Sequence, residues 1–244
     1  QAVFSNGKPI TAAAVKKCWE WGMWPANQAA FGGSYLLLKY VVGAPAVWTG
    51  EAEECEGLTA IDDQTLEIKF STVPYGWEGA LPVHYLGVFD AEAAIEDPEG
   101  FLTKPVCSGP MVVELNPATG EATLTRNPNW WREPATIERF ENIVINNDEA
   151  ALIAFENGEI DLLMAWFQLA TATQQRWPEW NHFTRQNPAG LWYLDFNCGL
   201  APTDDVWVRR ALLHSSDRHA ANDAIGGGSI KMLDSVLTPG YPCF

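Results

Sequence analysis

Apolar and polar residues alternate along several short stretches of the chain, and this two-residue period predicts β-strands. Residues 65–70 are apolar at every second position, which predicts a half-buried strand paired with residues 58–61. A five-residue connection joins residues 112–115 to residues 121–126, so these two stretches are expected to form a second hairpin. Residues 36–42 are mostly apolar, and the pattern there fits a helix or a strand. Further strands are predicted at residues 137–145, from residue 159 onward, at residues 182–186 and at residues 191–197.

Other stretches combine helix-forming residues with the polar side chains that begin a helix. Thr11 is a good N-cap for a helix over residues 12–21. Asp90 is expected to begin a short helix over residues 91–96, which Asp97-Pro98 ends. Further helices are predicted at residues 149–157 between Asp148 and Gly158, at residues 169–176, at residues 206–214 and from Asp217-Arg218 onward.

The overall composition limits the classes of protein to which the chain can belong. Its 244 residues suffice for one large domain or two small ones, and 47% hydrophobic residues can form a core. The net charge of -16 argues against nucleic acids and anionic membrane surfaces as partners, because both need basic patches. It is compatible with a secreted protein and with adaptation to salt. No apolar run reaches about 18 residues, the length of a membrane-spanning helix.

The residue types that carry most catalytic and metal chemistry are not arranged in known motifs. Five cysteines occur without the C-x-x-C spacing of a zinc or thioredoxin-type site, and the sequence is equally compatible with one disulfide and with none. His214 and His219 are five residues apart and do not share a helix face, so no metal site is predicted. The chain also lacks the G-x-S-x-G, H-E-x-x-H and P-loop motifs. It is therefore predicted not to be an enzyme and to need no cofactor.

Four groups of motifs follow one another in a defined order. They are F-S-N-G-K-P-I-T-A at residues 4–12, S-G-P at 108–110 with R-N-P-N-W at 126–130, G-E-I-D at 158–161, and L-D-F-N at 194–197 with V-R-R-A-L at 208–212. This series resembles family 5 of the extracellular solute-binding proteins, the peptide-binding subunits of ABC importers. The resemblance runs from Phe4 to Pro242 and is weak between Trp24 and Glu56. It implies an α/β fold of the periplasmic-binding-protein-like kind (type II, cluster C-like), with mixed sheets and flanking helices.

The resemblance also implies how the chain is divided. Residues 1–106 would form a subdomain of the first lobe, residues 107–200 its main part with the hinge-side strands, and residues 201–244 the start of the second lobe. The first lobe is thus expected to be largely present and the second lobe mostly missing, so that the sequence is a partial protein. The turn Cys107-Ser108-Gly109-Pro110 is expected to mark the passage between the first two parts and to serve the architecture rather than the ligand.

In this family a ligand lies between two lobes, and loops that leave the hinge strands contact it. The corresponding loop here follows G-E-I-D, where Trp166 or Phe167 is expected to pack on the ligand and Gln168 to donate a hydrogen bond. The alternative is that both aromatic rings belong to the core, where most large aromatic side chains lie. Tyr85 lies in a loop rich in glycine, proline and aromatic residues and is a further candidate, with surface packing as its alternative.

The last candidates are Tyr193, Asp195 and Asn197, which fall on one face of the strand predicted at residues 191–197. Tyr193 and Asn197 are expected to line the cleft, and the alternative for Tyr193 is a core position in which its hydroxyl has a hydrogen-bond partner. Asp195 is expected instead to pair with Arg209 or Arg210, because a half-buried carboxylate usually takes a cationic partner.

The resemblance implies a protein that captures a small solute, with a peptide as the leading candidate, for import through ABC permease subunits. Such a protein would be a monomer in the periplasm or outside the cell, associated with the membrane through the transporter. The alternative is a glycan-binding module or a glycoside hydrolase, because 12 tryptophans suit sugar stacking and 31 acidic residues could include a catalytic carboxylate pair. No ordered motif supports that alternative.

Overall fold

The computed structural model describes residues 2–28, 34–81, 86–165, 167–179, 193–226 and 232–233. The chain forms two compact units, Gln1–Val144 and Ile145–Phe244. The division into residues 1–106, 107–200 and 201–244 stays a prediction. In the part of the chain that the structure describes, no helix is long and apolar enough to cross a membrane.

Among the residues that the structure describes, both units contain helices, and the first also contains two antiparallel sheets. Its helices are α1 (Ala12–Met23), a short 3-10 helix (Pro25–Asn27), α2 (Ser34–Tyr40), α3 (Ala44–Thr49), α4 (Trp77–Ala80), α5 (Ala91–Glu96) and α6 (Pro98–Thr103). Its strands are β1 (Leu58–Ala60) and β2 (Leu66–Ile68), which pair with each other, and β3 (Met111–Leu115), β4 (Ala122–Arg126) and β5 (Arg139–Asn142), in the order β3-β4-β5. The helices of the second unit are α7 (Asp148–Glu156), α8 (Phe167–Arg176), α9 (Val206–Ser215) and α10 (Arg218–Gly226).

Helix α1 carries the apolar core of the first unit. Thr11 begins the helix as predicted, because its hydroxyl accepts a hydrogen bond from an N–H of the first turn at 3.2 Å. The helix ends before Trp24-Pro25, since a residue that precedes proline is disfavoured in the helical conformation. Cys18, Trp19 and Met23 are buried and form one cluster with apolar residues of α2, α3 and β1. The capping residue and the apolar face of this helix together fix how it packs.

The first predicted hairpin is confirmed by strands β1 and β2. They pair with Leu58 opposite Ile68. Gly57, just before β1, has no room for a side chain, because a Cβ atom there would lie 2.6 Å from the carbonyl oxygen of Val42. The close approach lets the Gly57 N–H donate to that carbonyl at 2.8 Å. Any other residue at this position would separate the hairpin from the segment that follows α2.

The apolar stretch at residues 36–42 is mostly helical. It forms the end of α2, after which Val41 makes an antiparallel bridge with Phe70. Leu37 and Val41 are both buried in the core cluster. The pattern fits both a helix and a strand because the segment changes from one to the other within a few residues.

The second predicted hairpin is confirmed by β3 and β4, with Leu115 opposite Ala122. The strand predicted at residues 137–145 is shorter than expected, because β5 pairs with β4 over four residues. Asn142 is opposite Ala122, the first residue of β4, so the chain beyond Asn142 has no partner in that strand. All of β5 is exposed. The length of this strand is therefore set by its neighbour and not by its own apolar pattern.

Two helix starts differ from their predictions. Asp97-Pro98, predicted only to end α5, also begins α6, where the aspartate accepts a 2.9 Å hydrogen bond from the first turn and the proline is the first helical residue. Asn147 rather than Asp148 caps α7, through a 2.9 Å bond to an N–H of the first turn. Asp148 instead lies inside that turn, where its negative charge interacts favourably with the positive end of the helix dipole. Gly158, with φ 72, follows the helix end as predicted.

The predicted helices at residues 169–176 and 206–214 are confirmed as α8 and α9, but two predicted strands are not found. Residues 159–165 and 193–197 form no strand, although their sequence pattern fits one. A strand needs main-chain partners on a neighbouring strand, and the described residues of the second unit contain no such neighbour. The predictions for residues 182–186 and 191–192 lie outside the described residues.

Candidate functional site

The motifs F-S-N-G-K-P, S-G-P and R-N-P-N-W contact one another in the first unit. The buried Asn127 donates from its side-chain amide to the Gly109 carbonyl at 2.8 Å. The Asn129 amide donates to the Ser5 carbonyl at 2.9 Å, and the Ser5 N–H donates to the Cys107 carbonyl at 2.8 Å. These hydrogen bonds join three segments of the main chain that are separate in the sequence. The contacts support the expectation that the turn at residues 107–110 serves the architecture.

Asp90 joins the turn near the beginning of the chain to α5. One carboxylate oxygen accepts hydrogen bonds from the N–H groups of Glu92 and Ala93. The other accepts from the Asn6 amide at 2.9 Å and lies 3.3 Å from the Lys8 ammonium. Burial disfavours the charged carboxylate, but the hydrogen bonds from Asn6 and Ala93 and the charge of Lys8 outweigh burial and lower the pKa of Asp90. The carboxylate therefore acts as an ionised structural clamp.

Glu20 and Glu54 have oppositely shifted pKa values, as a general acid and its partner would have. Burial raises the pKa of Glu20, although the Cys55 N–H donates to this carboxylate at 2.7 Å. The hydrogen bond from Lys16 lowers the pKa of Glu54. However, the Lys16 ammonium contacts both carboxylates, at 3.6 Å from Glu20 and 2.5 Å from Glu54. The pair is a lysine-bridged structural contact, which disfavours the hydrolase alternative here.

The described cysteines are all free thiols, namely Cys18, Cys55, Cys107 and Cys198. Burial raises the pKa of Cys107, so this thiol is unreactive in the folded protein. Among the residues that the structure describes, no group of three or more His, Cys, Asp and Glu side chains is arranged to hold a metal ion.

The candidates after G-E-I-D are placed only in part. Trp166 and Tyr85 lie outside the described residues. Phe167 and Gln168 begin α8, so the main chain there is helical and not the predicted loop. The reason is the run of leucine, alanine and glutamine that follows, which favours a helix and extends it towards Phe167. The role of these four residues in ligand binding stays a prediction.

Tyr193 and Asn197 lie in an exposed segment that leads to α9. The Tyr193 side chain is 67% exposed, so it is available for contact with a ligand. The Asn197 side-chain oxygen accepts from the Gly199 N–H at 3.0 Å, and its carbonyl accepts from the Thr203 hydroxyl at 2.7 Å. Asn197 thus organises the turn before α9. A ligand-binding role stays a prediction for both residues.

The predicted salt bridge of Asp195 is not found among the described residues. Arg209 donates instead to two main-chain carbonyls of the turn before α9, at 2.7 and 3.0 Å. Arg210 lies over the Trp207 ring, 4.9 Å from its centroid. The two arginines contact these local partners rather than the Asp195 carboxylate, because the partners lie on the same turn and helix as the arginines. Trp207 is 68% exposed and belongs to no candidate site predicted from the sequence.

Comparison with known proteins defines the class of the chain. The family model for bacterial extracellular solute-binding proteins, family 5 (middle part), matches residues 1–244. The chain therefore belongs to family 5 of the bacterial extracellular solute-binding proteins.

Individual relatives support this assignment and show what share of a related protein's length the chain covers. The chain is 28% identical to the oligopeptide-binding protein OppA of Bacillus subtilis, over 89% of this chain and 40% of that protein. It is 26% identical to the probable deoxycholate-binding periplasmic protein YgiS of Escherichia coli, over 97% and 44%. The structure of Listeria monocytogenes OppA bound to peptide matches with a TM-score of 0.77 at 20% identity, over 98% of this chain and 48% of that chain. The predicted α/β periplasmic-binding-protein-like fold is confirmed, and the chain spans less than half the length of these relatives.

Proposed function

We propose that the chain is part of a substrate-binding protein that captures a peptide for import by an ABC transporter. The match of the family model over residues 1–244 carries this proposal. The relatives favour a peptide over other solutes, because OppA of Bacillus subtilis is an oligopeptide-binding protein and the Listeria OppA structure contains a peptide. Because one relative is a probable deoxycholate-binding protein, a solute other than a peptide is the second candidate ligand.

The proposed mechanism is capture in a cleft that closes over the ligand. A cleft with apolar walls and a few oriented polar groups buries a small ligand, and closure gives the transporter a shape to recognise. In this chain the aromatic rings of Trp166, Phe167 and Tyr193 would supply apolar contact. Gln168 and Asn197 would supply hydrogen bonds, and Tyr85 is a further candidate contact.

The proposed setting is the periplasm or the outside of the cell, with ABC permease subunits as the membrane partner and a monomeric binding protein. The net charge of -16 supports a partner other than nucleic acid. A non-catalytic role is supported by the family and by Lys16, which bridges the carboxylates with oppositely shifted pKa values. Solute capture requires no change in any bond of the ligand.

Calorimetric titration with a peptide library and an oligosaccharide library tests the proposal. We expect the product of the complete reading frame to bind at least one peptide with a Kd of about 1 µM or lower, which is about -8 kcal/mol. The 244-residue chain alone should bind at least about tenfold more weakly, because it spans less than half of its relatives. Micromolar binding by the chain alone would contradict this second expectation. Oligosaccharide binding without peptide binding, or turnover of a glycoside, would favour the alternative function.

Replacing Tyr193 by alanine is expected to weaken peptide binding about tenfold without a loss of stability. The ring is 67% exposed, so its removal should change the free energy of unfolding by no more than about 0.5 kcal/mol. Loss of an aromatic contact with a ligand has a typical cost of more than about 1 kcal/mol. Titration of the complete protein measures the Kd, and thermal unfolding measures the stability. Trp207→Ala is the matched control, since Trp207 is equally exposed but is not a candidate contact, and an equal loss of affinity in both variants would argue against a specific role for Tyr193.

A further inference from the structure

Two thiols, Cys18 and Cys107, lie against the main chain of Phe89. The Phe89 N–H donates to the Cys18 sulfur at 3.5 Å, and Phe89 forms an antiparallel bridge with Cys107. The neighbouring Asp90 N–H donates to the Val106 carbonyl at 2.9 Å. This places Phe89 and Cys107 at a pair without mutual hydrogen bonds, where opposite Cα atoms lie about 4.5 Å apart. Both sulfurs therefore belong to one small region of the first unit.

The same bridge indicates the direction in which the Cys107 thiol points. Opposite residues of an antiparallel pair present their side chains on one face of the sheet. The Phe89 ring on that face lies edge-on to Trp21, with 5.2 Å between ring centroids. Trp21 follows Cys18 by three residues in α1, so both occupy the same side of the helix. The Cys107 thiol thus faces the side of α1 that carries Cys18.

We propose that Cys18 and Cys107 become joined by a disulfide when the protein folds in the presence of a disulfide oxidant such as oxidised glutathione. One protein thiolate attacks a glutathione disulfide and releases one glutathione thiolate. The second protein thiolate attacks the mixed disulfide and releases the other glutathione. Two protein thiols are oxidised and one glutathione disulfide is reduced. An exported location, which rests on the proposed function, would supply such an oxidant, but the bond does not depend on any ligand.

The bond forms during folding, because the folded protein suppresses both thiolates. Burial raises the pKa of Cys18 to about 12, with a further rise from the neighbouring Cys107. Burial also raises the pKa of Cys107. Once formed, the disulfide would connect α1 to the segment before β3 and restrict the unfolded chain over that whole interval. This link would reinforce the contacts among the motifs of the first unit.

Peptide mapping after oxidative refolding tests this proposal. The reduced and denatured 244-residue protein is refolded with oxidised and reduced glutathione, alkylated with iodoacetamide in denaturant so that every free thiol can react, and digested for mass spectrometry. We expect most molecules to yield the Cys18 and Cys107 peptides joined through a bond that dithiothreitol cleaves. The Tm of the oxidised protein should exceed that of the reduced protein by roughly 5–10 °C. Protein exported to a bacterial periplasm and mapped in the same way gives a measurement that does not rely on refolding.

Single substitutions separate this disulfide from other cysteine chemistry. Cys107→Ser should remove both the joined peptides and the gain in Tm, whereas Cys198→Ser, at an exposed thiol, should leave both unchanged. The proposal is overturned if Cys18 and Cys107 both react with iodoacetamide after refolding and after export, or if Cys18 is joined to Cys55 instead. The peptide titration has a different readout, so failure of the proposed function and failure of this disulfide are distinguishable.

Discussion

Replacing Trp19 by alanine is expected to lower the free energy of unfolding of the first unit by about 3–5 kcal/mol. Trp19 is only 4% exposed and lies in the core cluster that α1 forms with its neighbours. Its indole N–H also donates to the Leu86 carbonyl at 3.3 Å. The substitution removes a large apolar volume and leaves that carbonyl without this donor. Urea denaturation followed by far-UV circular dichroism measures the change, since it does not depend on tryptophan fluorescence.

Two further variants separate packing from the hydrogen bond. Trp19→Phe keeps most of the apolar volume and loses the indole N–H, so a cost of about 1–2 kcal/mol is expected. Trp131→Ala is the exposed control, because Trp131 is 49% exposed and contacts the Arg132 guanidinium at 4.2 Å. Its expected cost is below about 1 kcal/mol. If Trp19→Ala were no more harmful than this control, α1 would not carry the core of the first unit.

The helices of this protein could be predicted from the sequence largely because their signals are local. Thr11 and Asp90 cap the helices that follow them, and both contacts span no more than three residues. The hairpins at β1-β2 and β3-β4 are similarly local, since a short connection brings the two strands together. Among the helix starts, the wrong cap was predicted where two adjacent residues, Asn147 and Asp148, can both cap a helix.

The remaining strands could not be predicted because their length and existence depend on distant partners. The sequence pattern predicts a strand over residues 137–145, but β5 ends where β4 ceases to be its neighbour. Residues 193–197 alternate in the manner of a strand, yet they form none in the described structure. An alternating pattern states which face of a strand would be buried, and only the fold supplies the partner.

The candidate site could be predicted as a class but not as a geometry. The order of the motifs alone indicated the family, because the turn, hairpin and helix motifs follow one another along the chain as they do in that family. It did not indicate that Asn127 and Asn129 hold the chain near Gly109 and Ser5, since those contacts join residues far apart in the sequence. The pairing expected for Asp195 was wrong for a related reason, because main-chain carbonyls close to Arg209 compete with a distant carboxylate.

Replacing Asp90 by alanine is expected to cost about 2–4 kcal/mol of stability at neutral pH. The carboxylate is 4% exposed, caps α5 and also binds the Asn6 amide and the Lys8 ammonium. Asp90→Asn should cost roughly half as much, because asparagine can still cap the helix but loses the charge that faces Lys8. Asp97→Ala is the matched control. It removes an exposed cap from α6, so a cost of about 0.5–1 kcal/mol is expected in the same urea titration.

The pH dependence of the Asp90→Asn effect identifies the ionised carboxylate as its source. The folded-state pKa of Asp90 lies below the ordinary value of 3.8, so the unfolded chain binds the proton more readily. The stabilisation by the carboxylate is therefore complete well above pH 3.8 and is lost as the pH falls through the lower folded-state pKa. The stability difference between the wild type and Asp90→Asn should be constant between about pH 5 and pH 7 and should shrink towards about pH 3. A difference that grew on acidification would mean that Asp90 is stabilised in its protonated form, and the clamp with Asn6 and Lys8 would then be wrong.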